Sequence, residues 1–143
     1  ALRVLVPFAP EHLPQEIKAM EAVRCVNPGL PQYCCFDTAF HCARPEIAKQ
    51  LPIPRDLWRE GVVRYGFHGL SVQYAIRRAT DLLGHVPDRL VVCHLGSGCS
   101  VSAVAGGRSV DTSMGLTPLE GVMMGRRSGS GSSASSVTRW RNM

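Results

Sequence analysis

The side chains best equipped for chemistry fall in four places: the run His94-Leu95-Gly96-Ser97-Gly98-Cys99-Ser100, the loop histidine His68, the aspartate Asp37 and the pair Arg126-Arg127. Glycines between two apolar runs uncover backbone N–H groups and let phosphate oxygens approach the main chain. The run is not a Walker loop, because no Lys-Ser/Thr follows. Nor is it a dinucleotide fingerprint, since Val101 stands where the third glycine would be. Taken alone it is equally a plain hairpin. His68, in Arg64-Tyr65-Gly66-Phe67-His68-Gly69-Leu70-Ser71, sits where an extended segment meets a helix, a junction at which function concentrates. Its other reading is a hydrogen-bonded surface histidine. Asp37 is equally an Asx turn residue, and Arg126-Arg127 is either a phosphate clamp or a charge pair offsetting a helix dipole.

Other chemistries find no support. There is no Gly-x-Ser-x-Gly elbow, no Ser-x-x-Lys and no catalytic cysteine signature, so hydrolase chemistry is not indicated. Six cysteines include no Cys-x-x-Cys pair, and the vicinal Cys34-Cys35 is expected to be a pair of buried free thiols. Cys34 or Cys35 with His41 and Cys42 is the nearest approach to a zinc set. It lacks paired ligands at two spacings, so no metal ligand is assigned. His12 and His85 carry no distinguishing context.

The elements needed to hold these residues can be read from periodicity and breakers. Pro14 followed by Ile17, Met20 and Val23 predicts an amphipathic helix ending near Asn27-Pro28-Gly29. Residues 33–37 read as a short buried strand, 45–51 as a helical turn or two, and 62–67 as a strand delivering His68. The clearest helix has Ser71 as N-cap, Val72, Ala75, Ile76, Ala79, Leu82 and Leu83 on one face, and Gly84 as its stop. Three strands follow, near 89–95, 99–105 and 108–112, joined by glycine turns as a meander. Thr117-Pro118-Leu119-Glu120 has capping-box spacing and predicts a short helix to about Met124.

With 143 residues, 45% of them hydrophobic, the chain can bury an ordinary core. The formal charge of +5 is unevenly spread: residues 1–120 carry 12 basic and 11 acidic side chains, whereas residues 121–143 carry four arginines and no acid. A balanced body without a basic, aromatic-studded stripe argues against nucleic-acid binding. No apolar run approaches the roughly 20 residues needed to cross a bilayer, and the start is too short and proline-broken for a signal peptide, so a cytoplasmic location is expected. From Ser128 the text turns to serine and glycine, and residues 130–143 are expected to be a disordered tail.

Five segments resemble successive motifs of the acetate kinases, short-chain acyl kinases, in order and at near-family spacing. They are Val6-Pro7-Phe8-Ala9-Pro10-Glu11-His12, Phe36-Asp37-Thr38-Ala39-Phe40-His41, Arg64-Tyr65-Gly66-Phe67-His68-Gly69, His94-Leu95-Gly96-Ser97-Gly98 and residues 110–121. The likeness runs from about residue 1 to Gly129. It implies an α/β chain that is part of an actin-like, sugar-kinase-like ATPase fold of two ribonuclease H-like domains, truncated at both ends. Residues 1–39 would be the end of the first domain and 40–129 the beginning of the second. The resemblance further implies reversible ATP-dependent phosphorylation of acetate, with ATP or ADP and Mg²⁺ as cofactors and a homodimer as the assembly. By position, Asp37 corresponds to the active-site aspartate, His68 to the histidine that steadies the transferring phosphoryl group, and Arg127 to the arginine that contacts it. His94, Leu95, Gly96, Ser97 and Gly98 correspond to the ATP phosphate-binding loop. Ser97 stands in place of the family asparagine, Arg126 in place of a threonine, and Glu11 and Leu13 depart from a Leu-His-Asn-Pro stretch. Where the family continues with Asp-x-Asp-Pro, this chain has Ser130-Gly131-Ser132-Ser133, which reads as an out-of-frame continuation of an arginine-rich, GC-rich gene. Two readings stand beside acetate phosphorylation: a non-catalytic, nucleotide-binding or self-associating remnant, and a propionate or butyrate kinase.

Overall fold

A computed structural model describes residues 2–10, 12–125 and 129. The chain divides into two compact units, residues 1–35 and the residues from Phe36 onward, a division slightly before the domain boundary expected at 39. The first unit is small. A 3-10 helix, Leu2–Phe8, precedes helix α1, Leu13–Val26, which has proline in its first turn as the sequence predicts. Leu13, Ile17 and Met20 are half-buried, but no residue of α1 is fully buried, and Arg3 and Glu21 form an exposed ion pair at 2.5 Å. The strand expected at 33–37 is absent. Tyr33, Cys34, Cys35 and Phe36 are exposed, and no ladder pairs them among the described residues, so the two thiols are exposed, not buried.

In the second unit, a 3-10 turn, Ala39–Ala43, is followed by three helices and three strands. These are α2, Glu46–Lys49; α3, Arg55–Arg59; α4, Gly69–Leu83; β1, Arg89–Leu95; β2, Cys99–Ala105; and β3, Arg108–Thr112. Helix α3 was not foreseen, because Pro54 reads as a breaker in the sequence and here precedes the first helical residue. The strands form the expected antiparallel meander in the order β1-β2-β3. Period-2 alternation turns Leu90, Val92 and His94 of β1 to the same face as Val104, Ser102 and Ser100 of β2. Against that face pack Val72 and Ile76 of α4, which join Val92 and Val104 as the core, with Phe40, Ala75 and Leu90 at its margin. The other face of β1 is open: Val91 is 61% and Leu95 78% exposed, so β1 is half-buried.

Three expectations change on inspection of where the backbone hydrogen bonds go. Residues 62–67 are not a ladder strand; Arg64 N–H donates to Lys49 O, and both Tyr65 and Gly66 donate to Gly115 O, carbonyls of two separate segments. Leu82 and Leu83 remain exposed: Leu82 lies about 120° around the helix from Ile76 at 100° per residue, and Leu83, though on the Ile76 side, is in the last helical position before Gly84. No helix forms at 117–124. The Glu120 carboxylate does reach back, accepting from Leu116 and Thr117 N–H at 3.1 and 3.4 Å, but Gly121 follows at φ +99°, which turns the chain away from helical geometry.

A register shift separates Ala103 from Val104: Ala103 faces Asp111 while Val104 faces Ser109, so Val110 is a bulge residue without a partner. Its effect is to bring Ser109 and Thr112, three residues apart, onto the same buried side. Gly66 is held at φ +73° against this region, with room for no side chain: an added Cβ would lie 2.6 Å from Thr112 Cγ2 and 3.0 Å from the His41 ring. Gly84, the α4 terminator at φ +76°, has open space around it. Gly84→Ala therefore costs only the left-handed strain, about 1 kcal/mol. Gly66→Ala adds overpacking and costs about 3 kcal/mol; urea denaturation of both variants measures the difference.

Candidate active site

Helix α4 begins with backbone N–H groups that no residue of its own turn satisfies. The expected N-cap, Ser71, lies inside the helix and its hydroxyl goes elsewhere. The cap position is His68, whose side chain makes no capping bond. Asp37 supplies the missing acceptors from 31 residues earlier: Oδ2 accepts the His68 N–H at 2.6 Å, Oδ1 accepts the Leu70 N–H at 3.4 Å, and the Asp37 carbonyl accepts the Gly69 N–H at 2.9 Å. A carboxylate at a helix N-terminus also meets the favourable end of the helix dipole. Gly69 must be glycine for the approach to be this close, because a Cβ there would run into the Asp37 carbonyl and the Phe40 side chain.

The same clamp fixes His68. It is the one non-glycine residue with positive φ among those described, at +63°, a conformation costing about 1–2 kcal/mol that is held by the bonds on either side. The His68 ring stacks on the His94 ring, with centroids 3.9 Å apart and planes 18° from parallel. Each ring has its Nδ1 hydrogen-bonded to a serine hydroxyl at 2.9 Å, His68 to Ser100 and His94 to Ser71. His94 ends the inward face of β1, so its ring adjoins the turn Gly96-Ser97-Gly98. A Cβ on Gly96 would lie 3.4 Å from His94 Nε2, and glycine leaves that space open. Within the turn, Gly96 N–H donates to Gly98 O at 3.1 Å; Gly96 and Ser97 are exposed and Gly98 is buried. Leu95 points to the opposite, open face.

Asp37, His68, His94 and the glycine turn thus lie in one continuous chain of contacts. Arg127 and Arg126 lie outside the described residues. The described residues contain no group of three His, Cys, Asp or Glu side chains arranged to hold a metal ion, and both Asp37 oxygens face backbone N–H donors.

Sequence reasoning missed the support beneath His68. His41 is fully buried; its Nε2–H donates to the Phe67 carbonyl at 3.0 Å, so Nδ1 accepts the Ser109 hydroxyl proton at 2.8 Å. It holds the peptide immediately before His68. The only signal was its place in the Phe36–His41 segment, four residues after Asp37. Arg44, 3% exposed, donates to the carbonyls of His41, Arg64 and Tyr65. Arg64 donates to the carbonyls of Ala48 and Thr112 and pairs with Asp111 at 3.3 Å. Burial, and then the neighbouring Arg64, lower the Arg44 pKa to about 10, which leaves it charged at neutral pH.

Two tests address this scaffold. Asp37→Ala strips the α4 cap and is expected to cost about 2 kcal/mol, with Asp37→Asn losing roughly half as much by keeping an acceptor but not the charge; chemical denaturation reads both. Burial, with Arg44 nearby, holds the His41 pKa below its ordinary 6.5. An unfolded chain then binds a proton at His41 that the folded one refuses, so stability is complete above pH 6.5 and declines as pH falls toward the folded value. In urea melts between pH 7.5 and 5, His41→Gln is expected to be less stable at pH 7.5 by about 1–2 kcal/mol but to show a shallower pH dependence than the unsubstituted chain.

Comparison with known proteins gives this arrangement its context. Residues 1–136 match the acetokinase family. The acetate kinase of Deinococcus radiodurans is 53% identical over 133 residues, covering 90% of this chain and 33% of that protein, and the acetate kinase of Acaryochloris marina is 48% identical over 130 residues, with 91% and 33% covered. The chain spans about a third of the length of the curated relatives it matches. Among solved structures, a propionate kinase from Francisella tularensis superposes with a TM-score of 0.85 at 38% identity, covering 97% of this chain and 36% of that one. The Porphyromonas gingivalis acetate kinase gives 0.82 at 39% identity, covering 97% and 35%. The fold is thus a segment of an actin-like ATPase, α/β in class, and the three-stranded meander with α4 is the part of it seen here. With nearly its whole length matched in sequence and structure, the chain belongs to the acetokinase family.

Proposed function

We propose that this chain carries the phosphoryl-transfer segment of an acetate kinase, moving the γ-phosphoryl group of ATP to an acetate oxygen to give acetyl phosphate and ADP, reversibly. The supporting observation is the Asp37-clamped His68 stacked on His94 beside the Gly96–Gly98 turn. In this reading the carboxylate oxygen of acetate attacks phosphorus in line with the departing ADP oxygen. The phosphoryl group in flight spreads negative charge over three oxygens, so the protein's work is alignment and charge neutralisation. His68 hydrogen-bonds that group, and Arg127 contacts it with a planar, permanently charged fork. The turn His94–Gly98 lies along the ATP phosphates, with Ser97 reaching less far than the asparagine it replaces. Asp37 acts by fixing His68; its charge is balanced by the α4 N-terminus, which keeps that helix end from competing for phosphate.

Residues 1–39 then belong to the end of a first ribonuclease H-like domain and 40–129 to the beginning of a second. Magnesium, when present, would come bound to the nucleotide and would supply charge neutralisation at its phosphates. A cytoplasmic homodimer without nucleic-acid partners completes the reading; among the described residues, no helix is long and apolar enough to cross a membrane. A second reading, propionate as acceptor, is favoured by the superposition on the Francisella propionate kinase.

The test is direct. The purified chain, given ATP, magnesium and acetate or propionate with hydroxylamine as trap, is expected to yield acyl hydroxamate, with His68→Ala slower by about 100-fold or more. The acceptor with the higher kcat/KM decides between the acyl groups. No hydroxamate above the His68→Ala background with either acid would overturn catalysis and leave a nucleotide-binding remnant, which calorimetry with ATP would then detect.

A further inference from the structure

Of the four hydroxyls on the buried side of the meander, Ser102 and Thr112 bond each other and Ser109 bonds His41 beneath the His68 peptide, while Ser100 bonds the His68 ring itself. Ser100 is fully buried on β2, directly opposite His94 in the register, and its Oγ lies 2.9 Å from His68 Nδ1. We infer that Ser100 is a positioning residue that acts through His68, a role that rests on the phosphoryl-transfer reading given above.

Three constraints then meet on one ring. Asp37 fixes the backbone at the His68 N–H, His94 fixes the ring plane at 3.9 Å, and Ser100 fixes rotation within that plane by engaging one edge. The first two leave the edges interchangeable, because a ring flipped about its Cβ–Cγ bond still stacks on His94. The Ser100 hydroxyl at Nδ1 is a contact that distinguishes them. A serine hydroxyl both donates and accepts, so it holds the ring in either protonation state. Neutral His68 can accept from the hydroxyl at Nδ1 or donate to it, and the proposed role takes the first arrangement, in which the ring proton lies on Nε2. Toward the imidazolium it turns and accepts from Nδ1–H. In both cases Nε2 carries the proton, as a group that hydrogen-bonds a transferring phosphoryl oxygen requires. Strand β2 is a rigid place from which to do this, since its neighbours on both sides are paired.

Ser102 provides a matched comparison. It is also fully buried, on the same strand and face two residues on, and its hydroxyl donates to Thr112 Oγ1 at 3.2 Å. Ser100→Ala and Ser102→Ala each remove one buried hydroxyl, so both are expected to lower the melting temperature. Only Ser100→Ala should alter His68.

The deciding measurement is long-range ¹⁵N–¹H correlation of the His68 ring in the ligand-free, ¹⁵N-labelled chain. The unsubstituted chain and Ser102→Ala are expected to show the Nε2–H tautomer at neutral pH, and Ser100→Ala a tautomer mixture. His68 shifts unchanged by Ser100→Ala would overturn the proposal, whatever happens to stability. In the hydroxamate assay, Ser100→Ala should lower kcat about tenfold, as loss of one hydrogen bond at the reacting group implies. The KM for acetate should stay within about threefold, and Ser102→Ala should retain kcat. Shifted His68 resonances with an undiminished kcat would overturn the catalytic half of the role. An inactive unsubstituted chain would sink the phosphoryl-transfer reading instead, while the NMR comparison would still decide whether Ser100 sets the ring.

Discussion

The second unit depends on the carboxylate of Asp37 at the start of α4. A helix whose first turn packs against a sheet must find acceptors for its leading N–H groups, and here no residue of that turn provides them. A side chain and a carbonyl from the preceding segment do so together, at His68, Gly69 and Leu70. Much else follows geometrically. The close approach demands glycine at 69, the cap residue is forced into the left-handed region, and its ring is thrown toward the end of β1, where His94 and the glycine turn wait. Capping, strain and site assembly are one event.

Beneath the clamp lies a polar layer where a purely apolar core would be the simpler choice. Ser100, Ser102, Ser109 and Thr112 face inward from β2 and β3, and His41 and Arg44 are buried against the same region. Such a layer is tolerable only when its members find partners. Nearly all do: hydroxyls meet His68, Thr112 and His41, and Arg44 binds three carbonyls. The remaining Arg44 nitrogen, Nη1, has no hydrogen bond and lies 4.0 Å from the Asp111 carboxylate, so its satisfaction is electrostatic rather than directional. The bulge at Val110 is what permits this, because regular alternation could not turn both Ser109 and Thr112 inward. Networks of this kind specify one arrangement more strictly than packed aliphatics do, and they lie directly under the peptide that carries His68.

Local signals were legible in the sequence, and long-range ones were not. Helix α1, the span of α4 with its Gly84 stop, and all three strands could be read from periodicity and glycine because those patterns are set by neighbours along the chain. Ser71 was misread as the N-cap for the same reason: a serine before an apolar stripe is the local solution, whereas Asp37 is distant in sequence and its capping role is invisible to spacing. At Glu120 the local pattern delivered half of its promise, a carboxylate bonded to two N–H groups, until Gly121 redirected the backbone. Residues 33–37 and 62–67 have strand composition but no ladder partner among the described residues, and composition cannot supply one. Of the site, Asp37, His68 and the 94–98 turn were marked by residue type, but the stacking of His94 on His68 and the burial of His41 required the fold.

The electrostatics of the cluster say which of its parts can face an anion. Asp37 is a negative charge only 2.6 Å from the His68 nitrogen, an arrangement that would repel phosphate were the carboxylate open to it. Its oxygens instead point along the α4 axis into the helix N-terminus, where aligned peptide dipoles offset the charge. What remains toward the hairpin is a pair of stacked imidazoles and the exposed backbone of Gly96 and Ser97, groups that are neutral or cationic and rich in donors. In the proposed transfer the stacked rings, with centroids 3.9 Å apart, supply fixed direction, and most of the charge neutralisation falls to an arginine. A division of labour between a geometrically fixed histidine and a permanently charged guanidinium is what a loose, charge-dispersed transition state calls for, since the one supplies direction and the other supplies field.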